Sequence, residues 1–146
     1  MNTQTVTVRK TLRASREEVF DAWLDAEGMR TWMFPGPVTH SEVKLEPRVG
    51  GQFEIVMSAP GIEIVNRGEF RVLDRPARLQ FTWISSRWAN QETLITIDLT
   101  SRDGHCDLVL THERFPLEHS AEQLQMGWGQ MLEKLAEYLQ RRHHRF

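Results

Sequence analysis

Two polar residues, Asn66 and His112, stand where the hydrophobic alternation of the chain predicts buried side chains. His112 follows Leu108 and Leu110 at a spacing of two, and Asn66 follows Ile64 in the same way. A buried polar group needs a partner, which can be another side chain, a water molecule or a ligand. The commoner arrangement for His112 is a satisfied core histidine, and for Asn66 a residue beside a turn or bulge. Burial should lower the pKa of an inward-facing His112, because it disfavours the charged imidazole.

Tryptophan is several times more frequent than usual, with five in 146 residues. Its side chain combines a large apolar surface with one N–H donor, which suits a pocket of mixed polarity, although a tryptophan is more often part of a core. Four could stack on a ligand: Trp32, Trp83, Trp88 and Trp128. Gly127 and Gly129 flank the last of these in a predicted helix, where each costs about 1 kcal/mol relative to alanine. Close packing on a sheet and a cavity beside Trp128 both explain them.

Patterns for covalent, phosphate or metal chemistry are missing from the sequence. It contains no glycine-rich phosphate loop, nucleophile elbow or zinc-protease helix. The adjacent donors His105 and Cys106 point to opposite faces of a strand and are too few for a metal site. We therefore predict no catalytic residue, metal or cofactor. Proton transfer by His112 and Glu113 is a less favoured possibility, because these neighbours alternate to opposite faces and would need a bulge to act together.

Composition restricts the partners and the location. The net charge of -2 provides no global positive field for nucleic acid, and the basic tail, residues 141–146, is typical of a solvated helix end. The apolar runs are far shorter than the roughly 20 residues of a membrane helix, and the polar N-terminus indicates no signal peptide. The lone Cys106 fits a reducing compartment. We expect a cytoplasmic monomer or homodimer that binds neither nucleic acid nor membrane.

Periodicity predicts the elements that position these residues. A strand over residues 6–12 leads to a capping-box sequence at 15–18, which opens a helix that Gly28 ends. A second short helix covers residues 29–34 and stops at the Pro-Gly-Pro sequence of residues 35–37. From 38 to 114 the apolar period is two, and the short turns predict a six-stranded antiparallel meander. Residues 85–91 form its longest and least structured link. A second capping-box sequence at 120–123 opens a long final helix.

Six motifs occur along this framework in a fixed order: SREEVFDAW at 15–23, WMFP at 32–35, GGQF at 50–53, RLQFTW at 78–83, LTHE at 110–113, and GW at 127–128 followed by Met131, Leu132 and Leu135. Together they resemble the START-like (Bet v 1-like, SRPBCC) superfamily and, within it, the activator of heat-shock protein 90 ATPase homologue-like family. The resemblance covers about residues 6–139, and a length of 146 residues with no visible linker predicts that residues 1–146 form one domain. It implies an α+β helix-grip fold, in which a curved antiparallel sheet wraps around a long C-terminal helix and two short helices follow the first strand. It also implies a hydrophobic tunnel, with ligand binding in many relatives and catalysis in a few.

The leading hypothesis is that a small hydrophobic or amphipathic molecule binds between the sheet and the last helix, entering near residues 32–37 and 85–91. The predicted pocket residues are Trp32, Phe53, Ile55, Met57, Ile64, Asn66, Phe81, Trp83, His112, Trp128 and Met131. The alternative is a protein-interaction module resembling the C-terminal domain of the chaperone ATPase activator, and a cyclase- or hydrolase-type enzyme is less favoured. A cavity of several hundred Å³ would favour ligand binding, whereas a filled core would favour the interaction module.

Overall fold

A seven-stranded antiparallel sheet dominates the computed structural model, which describes residues 3–36 and 38–143. The strands, in chain order, are β1 Thr3–Leu12, β2 His40–Leu45, β3 Gln52–Ala59, β4 Ile62–Asp74, β5 Arg78–Ser85, β6 Glu92–Arg102 and β7 His105–Pro116. Their order across the sheet is β1-β7-β6-β5-β4-β3-β2, with antiparallel pairing throughout. The short connections keep β2 to β7 adjacent in sequence order. The predicted six-stranded meander is confirmed.

Two short helices follow β1, as predicted, but their boundaries differ from the prediction. Helix α1, Arg16–Ala22, begins with the expected capping box: Ser15 Oγ accepts from Glu18 N at 3.1 Å, and a Glu18 carboxylate oxygen accepts from Ser15 N at 3.0 Å. It ends at Ala22 because Asp25 starts a new helix, α2, Ala26–Met29, by accepting a hydrogen bond from the Gly28 N–H. The prediction that Gly28 ends the first helix and that the second covers residues 29–34 was therefore wrong.

The last helix, α3, spans Ala121–His143. Ser120 caps its N-terminus, because the Ser120 hydroxyl accepts a hydrogen bond from Gln123 N at 3.2 Å. Its buried side chains recur every three to four residues and face the sheet: Trp128, Met131, Leu132, Leu135 and Leu139. The curved sheet and this helix confirm the α+β helix-grip fold. Within the described residues no helix is long and apolar enough to cross a membrane. The predicted stop at Pro37 and the end of the basic tail, residues 144–146, lie outside the described residues.

A β-bulge in β7 changes which side chains face inward. Val6 of β1 pairs with His112, but Gln4 pairs with Phe115, so two residues of β7 lie opposite one residue of β1. The extra residue is Arg114, whose φ of 67° is the left-handed conformation. His112 and Phe115 are both buried as a result, although simple alternation would place them on opposite faces.

The link between β5 and β6 is more ordered than predicted. A 3₁₀ turn spans Ser86–Trp88, and Ser85 Oγ accepts from the backbone N–H of Arg87 at 3.2 Å. The left-handed residues Ala89 and Asn90 then reverse the chain. The Trp88 ring is buried and meets the Phe115 ring edge to face, with centroids 4.8 Å apart. The prediction that this link is the least structured of the meander was wrong, because this tryptophan anchors it to the core.

Gly28 provides a test of how α2 meets the last helix. A Cβ at this position would lie 2.7 Å from Cζ of Tyr138 and 2.8 Å from a carboxylate oxygen of Asp25. We expect Gly28→Ala to lower the free energy of unfolding by about 1–3 kcal/mol through overpacking. The loss should be smaller in a Tyr138→Ala background, which removes the ring, and a urea-unfolding double-mutant cycle measures the difference.

Gly129 is the matched control, because a Cβ there would meet nothing within 4 Å. Gly129→Ala should raise the free energy of unfolding by up to about 1 kcal/mol, the helix propensity difference. A Gly28→Ala protein as stable as wild type would contradict the close contact with Tyr138.

Candidate functional site

A partly open cleft of about 330 Å³ lies between the first half of α3 and strands β3, β4 and β5. The sheet side is formed by Met57, Ile64, Asn66, Trp83 and Ser85. The helix side is formed by Gln123, Leu124, Met126, Gly127, Trp128, Gln130 and Met131, and the rim by Pro35, Arg87 and Trp88. The wall is mainly apolar, and the volume lies at the lower end of the range for small-molecule sites.

The structure brings six of the eleven predicted pocket residues together on this wall: Met57, Ile64, Asn66, Trp83, Trp128 and Met131. Three others, Phe53, Ile55 and Phe81, surround a separate void of about 10 Å³, which has room for about one water molecule. They pack against one another rather than along the cleft; the rings of Phe53 and Phe81, for example, meet edge to face at 5.5 Å.

Trp32 is fully buried and lies outside the cleft. Its ring meets that of Trp23 edge to face, with centroids 4.8 Å apart. Neither indole N–H has a hydrogen-bond partner among the described residues. The structure thus places Trp32 in the aromatic core, although the loop that follows it reaches the cleft through Pro35.

His112 is fully buried, and it lies behind the cleft rather than on its wall. The indole N–H of Trp128 donates to His112 Nδ1 at 3.2 Å, and His112 Nε2 lies 2.7 Å from Thr93 Oγ1. The Thr93 hydroxyl donates to the backbone oxygen of Trp83 at 2.6 Å. Because an indole can only donate, Nδ1 carries no proton, so Nε2 carries the proton and donates to Thr93. Both ring nitrogens are therefore satisfied within the protein.

Burial lowers the pKa of His112 from 6.5 to about 3, because the charged imidazolium would be cut off from water. Glu113, the other residue of the proton-transfer alternative, is half-buried and pairs with Leu94 in β6. The bulge lies after it, at Arg114, so His112 and Glu113 keep the ordinary alternation to opposite faces of the strand. These contacts describe a structural histidine that orients Trp128.

Asn66 is buried on the cleft wall, and its amide nitrogen donates to the backbone oxygen of Ile55 at 3.2 Å. A carbonyl acceptor requires a donor, so this bond fixes the amide orientation. The second N–H of this amide and its carbonyl oxygen make no hydrogen bond with any described residue. The side chain is therefore a polar group available on an otherwise apolar wall.

The two glycines of α3 leave space instead of allowing close packing. A Cβ at Gly127 would meet only Cβ of Pro35, at 3.8 Å, and one at Gly129 would meet nothing within 4 Å. Of the two explanations that the sequence leaves open, close contact with the sheet is excluded by these distances. Gly127 borders the cleft beside Trp128, so its missing side chain adds to the open volume.

The helix also holds the segment that carries Pro35. Gln130 Oε1 accepts from the Gly36 N–H at 2.7 Å, and Lys134 Nζ donates to the backbone oxygen of Phe34 at 2.8 Å. The ammonium group lies 3.9 Å from the centroid of the Phe34 ring, and burial lowers the pKa of Lys134. These contacts position one side of the rim.

Sequence reasoning missed several cleft residues, among them Ser85, Arg87, Gln123, Leu124 and Gln130. Those on the helix carried a usable signal: positions 123, 124, 127, 130 and 131 recur at helical spacing beside Trp128. Ser85 and Arg87 lie in the segment 85–91 that was predicted to border the entrance, but neither was singled out, because the turn that places them was predicted as the least structured link.

Cys106 lies apart from the cleft and is fully buried. Burial raises the pKa of its thiol to about 11, so the reactive thiolate is scarce at neutral pH. Among residues 3–36 and 38–143 no three side chains of His, Cys, Asp or Glu are grouped to hold a metal ion.

A curved antiparallel sheet, a long C-terminal helix across it and a cleft between the two define a START-like domain. Within this class, the chain belongs to the family described as Activator of Hsp90 ATPase homolog 1-like protein, whose family model matches residues 13–140. No curated protein is significantly similar to the sequence.

Solved structures share the same fold. Protein CV1439 from Chromobacterium violaceum is 25% identical, with a TM-score of 0.82 over 91% of this chain and 94% of that one. Protein Mll3558 from Rhizobium loti is also 25% identical, with a TM-score of 0.79 over 94% and 97%. The solution structure of ChR145 from Cytophaga hutchinsonii, at 20% identity, has a TM-score of 0.76 over 97% and 98%.

The lowered pKa of His112 predicts how stability depends on pH. The unfolded imidazole titrates near 6.5, and the folded one near 3. The contribution of the neutral ring is fully present above pH 6.5. Below that pH the unfolded state takes up a proton that the folded state does not, so the free energy of unfolding should fall by up to about 1.4 kcal/mol per pH unit until pH 3.

Urea unfolding between pH 7.5 and about 4.5 measures this fall. This interval lies above the pH range in which carboxylates with lowered pKa values, such as Asp21 and Asp107, lose their contribution to stability. His112→Gln is the control, which should remove this part of the slope while keeping the other histidines. An NMR titration of His112 near its usual pKa of 6.5 would contradict the buried neutral ring.

Proposed function

We propose that this protein binds a small hydrophobic or amphipathic molecule in the cleft between α3 and the sheet. The observation that supports this most strongly is the cleft itself, about 330 Å³ left open beside the closely packed rings of Trp83 and Trp128. An unfilled apolar volume lowers stability, so a domain that served only as a scaffold would be more stable if larger side chains filled it.

The wall offers both parts that an amphipathic ligand needs. Met57 and Met131 are flexible apolar side chains that adapt to irregular shapes, and the two tryptophans provide flat surfaces for rings or chains. Asn66 adds a polar group whose orientation is fixed. Burying some 250 Å² of apolar ligand surface at roughly 25 cal/mol/Å² gives about 6 kcal/mol before association costs, so we expect micromolar affinity or weaker.

His112 supports this function indirectly, since it holds Trp128 at the cleft and leaves no ring nitrogen for a substrate. Its contacts therefore favour a binding protein over an enzyme that transfers protons through His112 and Glu113. A cytoplasmic location is part of the same proposal, and the buried reduced thiol of Cys106 supports it.

Filling the cleft from the helix tests the proposal. Gly127→Leu should weaken binding of N-phenyl-1-naphthylamine, a neutral apolar fluorophore, by about tenfold or more, because the new side chain occupies the space between Pro35 and Trp128. Gly129→Leu changes the same helix at an open position and should leave binding unchanged. Both variants lose a helix glycine, so neither should unfold more readily than wild type; circular dichroism and thermal melting check this.

If wild-type protein does not bind the fluorophore, or if Gly127→Leu binds it as well as Gly129→Leu does, ligand binding in the cleft is contradicted. The interaction module resembling the chaperone activator's C-terminal domain then becomes the better hypothesis.

A further inference from the structure

We propose that the cleft selects amphipathic molecules that end in a carboxylate, which Ser85 and Arg87 bind at its polar end. This inference rests on the proposed function, because it names the class of ligand that the cleft would take. It follows from the charge of the wall, a buried hydroxyl and the way that Arg87 is held.

The charge on the cleft wall is positive. Among the described residues that line it, Arg87 carries the only full charge, and no aspartate or glutamate is present. The other polar side chains of the wall are neutral: Asn66, Ser85, Gln123 and Gln130. A cleft with one cation and no anion favours a ligand with one negative group.

Ser85 presents a hydrogen-bond donor that has no acceptor among the described residues. The residue is fully buried on the cleft wall, and its Oγ already accepts from the backbone N–H of Arg87 at 3.2 Å. Its hydroxyl proton donates to no described group, and a buried donor of this kind requires a partner. Ser85 lies opposite Asn66 in the β4–β5 pairing, so the two side chains share one face of the sheet.

The 3₁₀ turn Ser86–Trp88 places the backbone N–H of Arg87 against this hydroxyl, and the side chain of Arg87 also borders the cleft. Its guanidinium carbon lies 5.9 Å from the centroid of the Trp88 ring, and Trp88 is itself packed against Phe115. Arg87 forms no ion pair with any described carboxylate. A ligand carboxylate could accept from its guanidinium and from the Ser85 hydroxyl, which are charge-assisted hydrogen bonds of the stronger kind.

The position of Arg87 at the exposed rim keeps the cost of binding an anion low. Its side chain is exposed, whereas Trp83 and Trp128 deeper in the cleft are buried. A bound carboxylate would stay partly hydrated, which avoids most of the desolvation penalty of a buried ion pair. The cleft volume of about 330 Å³ lies at the lower end of the range for small-molecule sites, which fits a medium-chain acid or an acid with one aromatic ring.

The test compares octanoate with octan-1-ol, two ligands of similar length that differ in charge, by displacement of N-phenyl-1-naphthylamine at neutral pH. Wild-type protein should bind octanoate roughly tenfold more tightly. Arg87→Met keeps an apolar stem and should remove this preference, because octanoate loses its cationic partner while octanol loses none. Ser85→Ala should reduce the preference in part, with near-ultraviolet circular dichroism confirming that the turn and its tryptophan remain in place.

Arg67→Met is the matched control, since Arg67 is an exposed arginine of β4 outside the cleft wall and its loss changes the net charge equally. It should keep the octanoate preference. Equal binding of both ligands by wild type, or a preference that survives in Arg87→Met, would overturn the carboxylate proposal and leave apolar binding intact. Failure of both ligands and of the fluorophore to bind would instead contradict the proposed function itself.

Discussion

The indole N–H of Trp128 becomes buried when α3 packs on the sheet. A buried donor without a partner costs about 1–3 kcal/mol. His112 accepts this bond, and Thr93 and the backbone oxygen of Trp83 complete a chain that joins the helix to β5, β6 and β7. Because the indole only donates, the imidazole must be neutral with its proton on Nε2. Burial, which lowers the pKa of this ring to about 3, keeps it in the neutral form that the bond needs.

The same chain fixes one side of the cleft. Trp83 and Trp128 are the two ends of this hydrogen-bond chain, and their ring centroids lie 5.5 Å apart. This part of the cleft therefore has little freedom to close. The helix residues before Trp128 differ in character: Met126 is 65% exposed, and Gly127 provides no side chain. A rigid aromatic pair beside adaptable groups can accept ligands of varied shape while keeping their polar end near Arg87.

Local rules predicted much of the fold because each acts through a few neighbouring residues. Alternation placed His112 and Asn66 inside, and the capping sequence at Ser15 located the start of α1. The bulge could not be predicted from the sequence, because arginine does not favour a positive φ. The conformation of Arg114 is imposed by burial of Phe115 on the same strand. The order of the β5–β6 link likewise depends on long-range packing.

The cleft could be predicted only in part, because it is defined by absent contacts. Phe53 and Phe81 alternate inward by the same rule as Met57 and Trp83, yet the first pair closes on neighbouring rings while the second borders open space. Periodicity gives the direction of a side chain and not the distance to the next surface. Gly127 is a sequence feature that marks this space, because it borders the cleft and relieves no contact closer than 3.8 Å, although a glycine costs the helix about 1 kcal/mol relative to alanine.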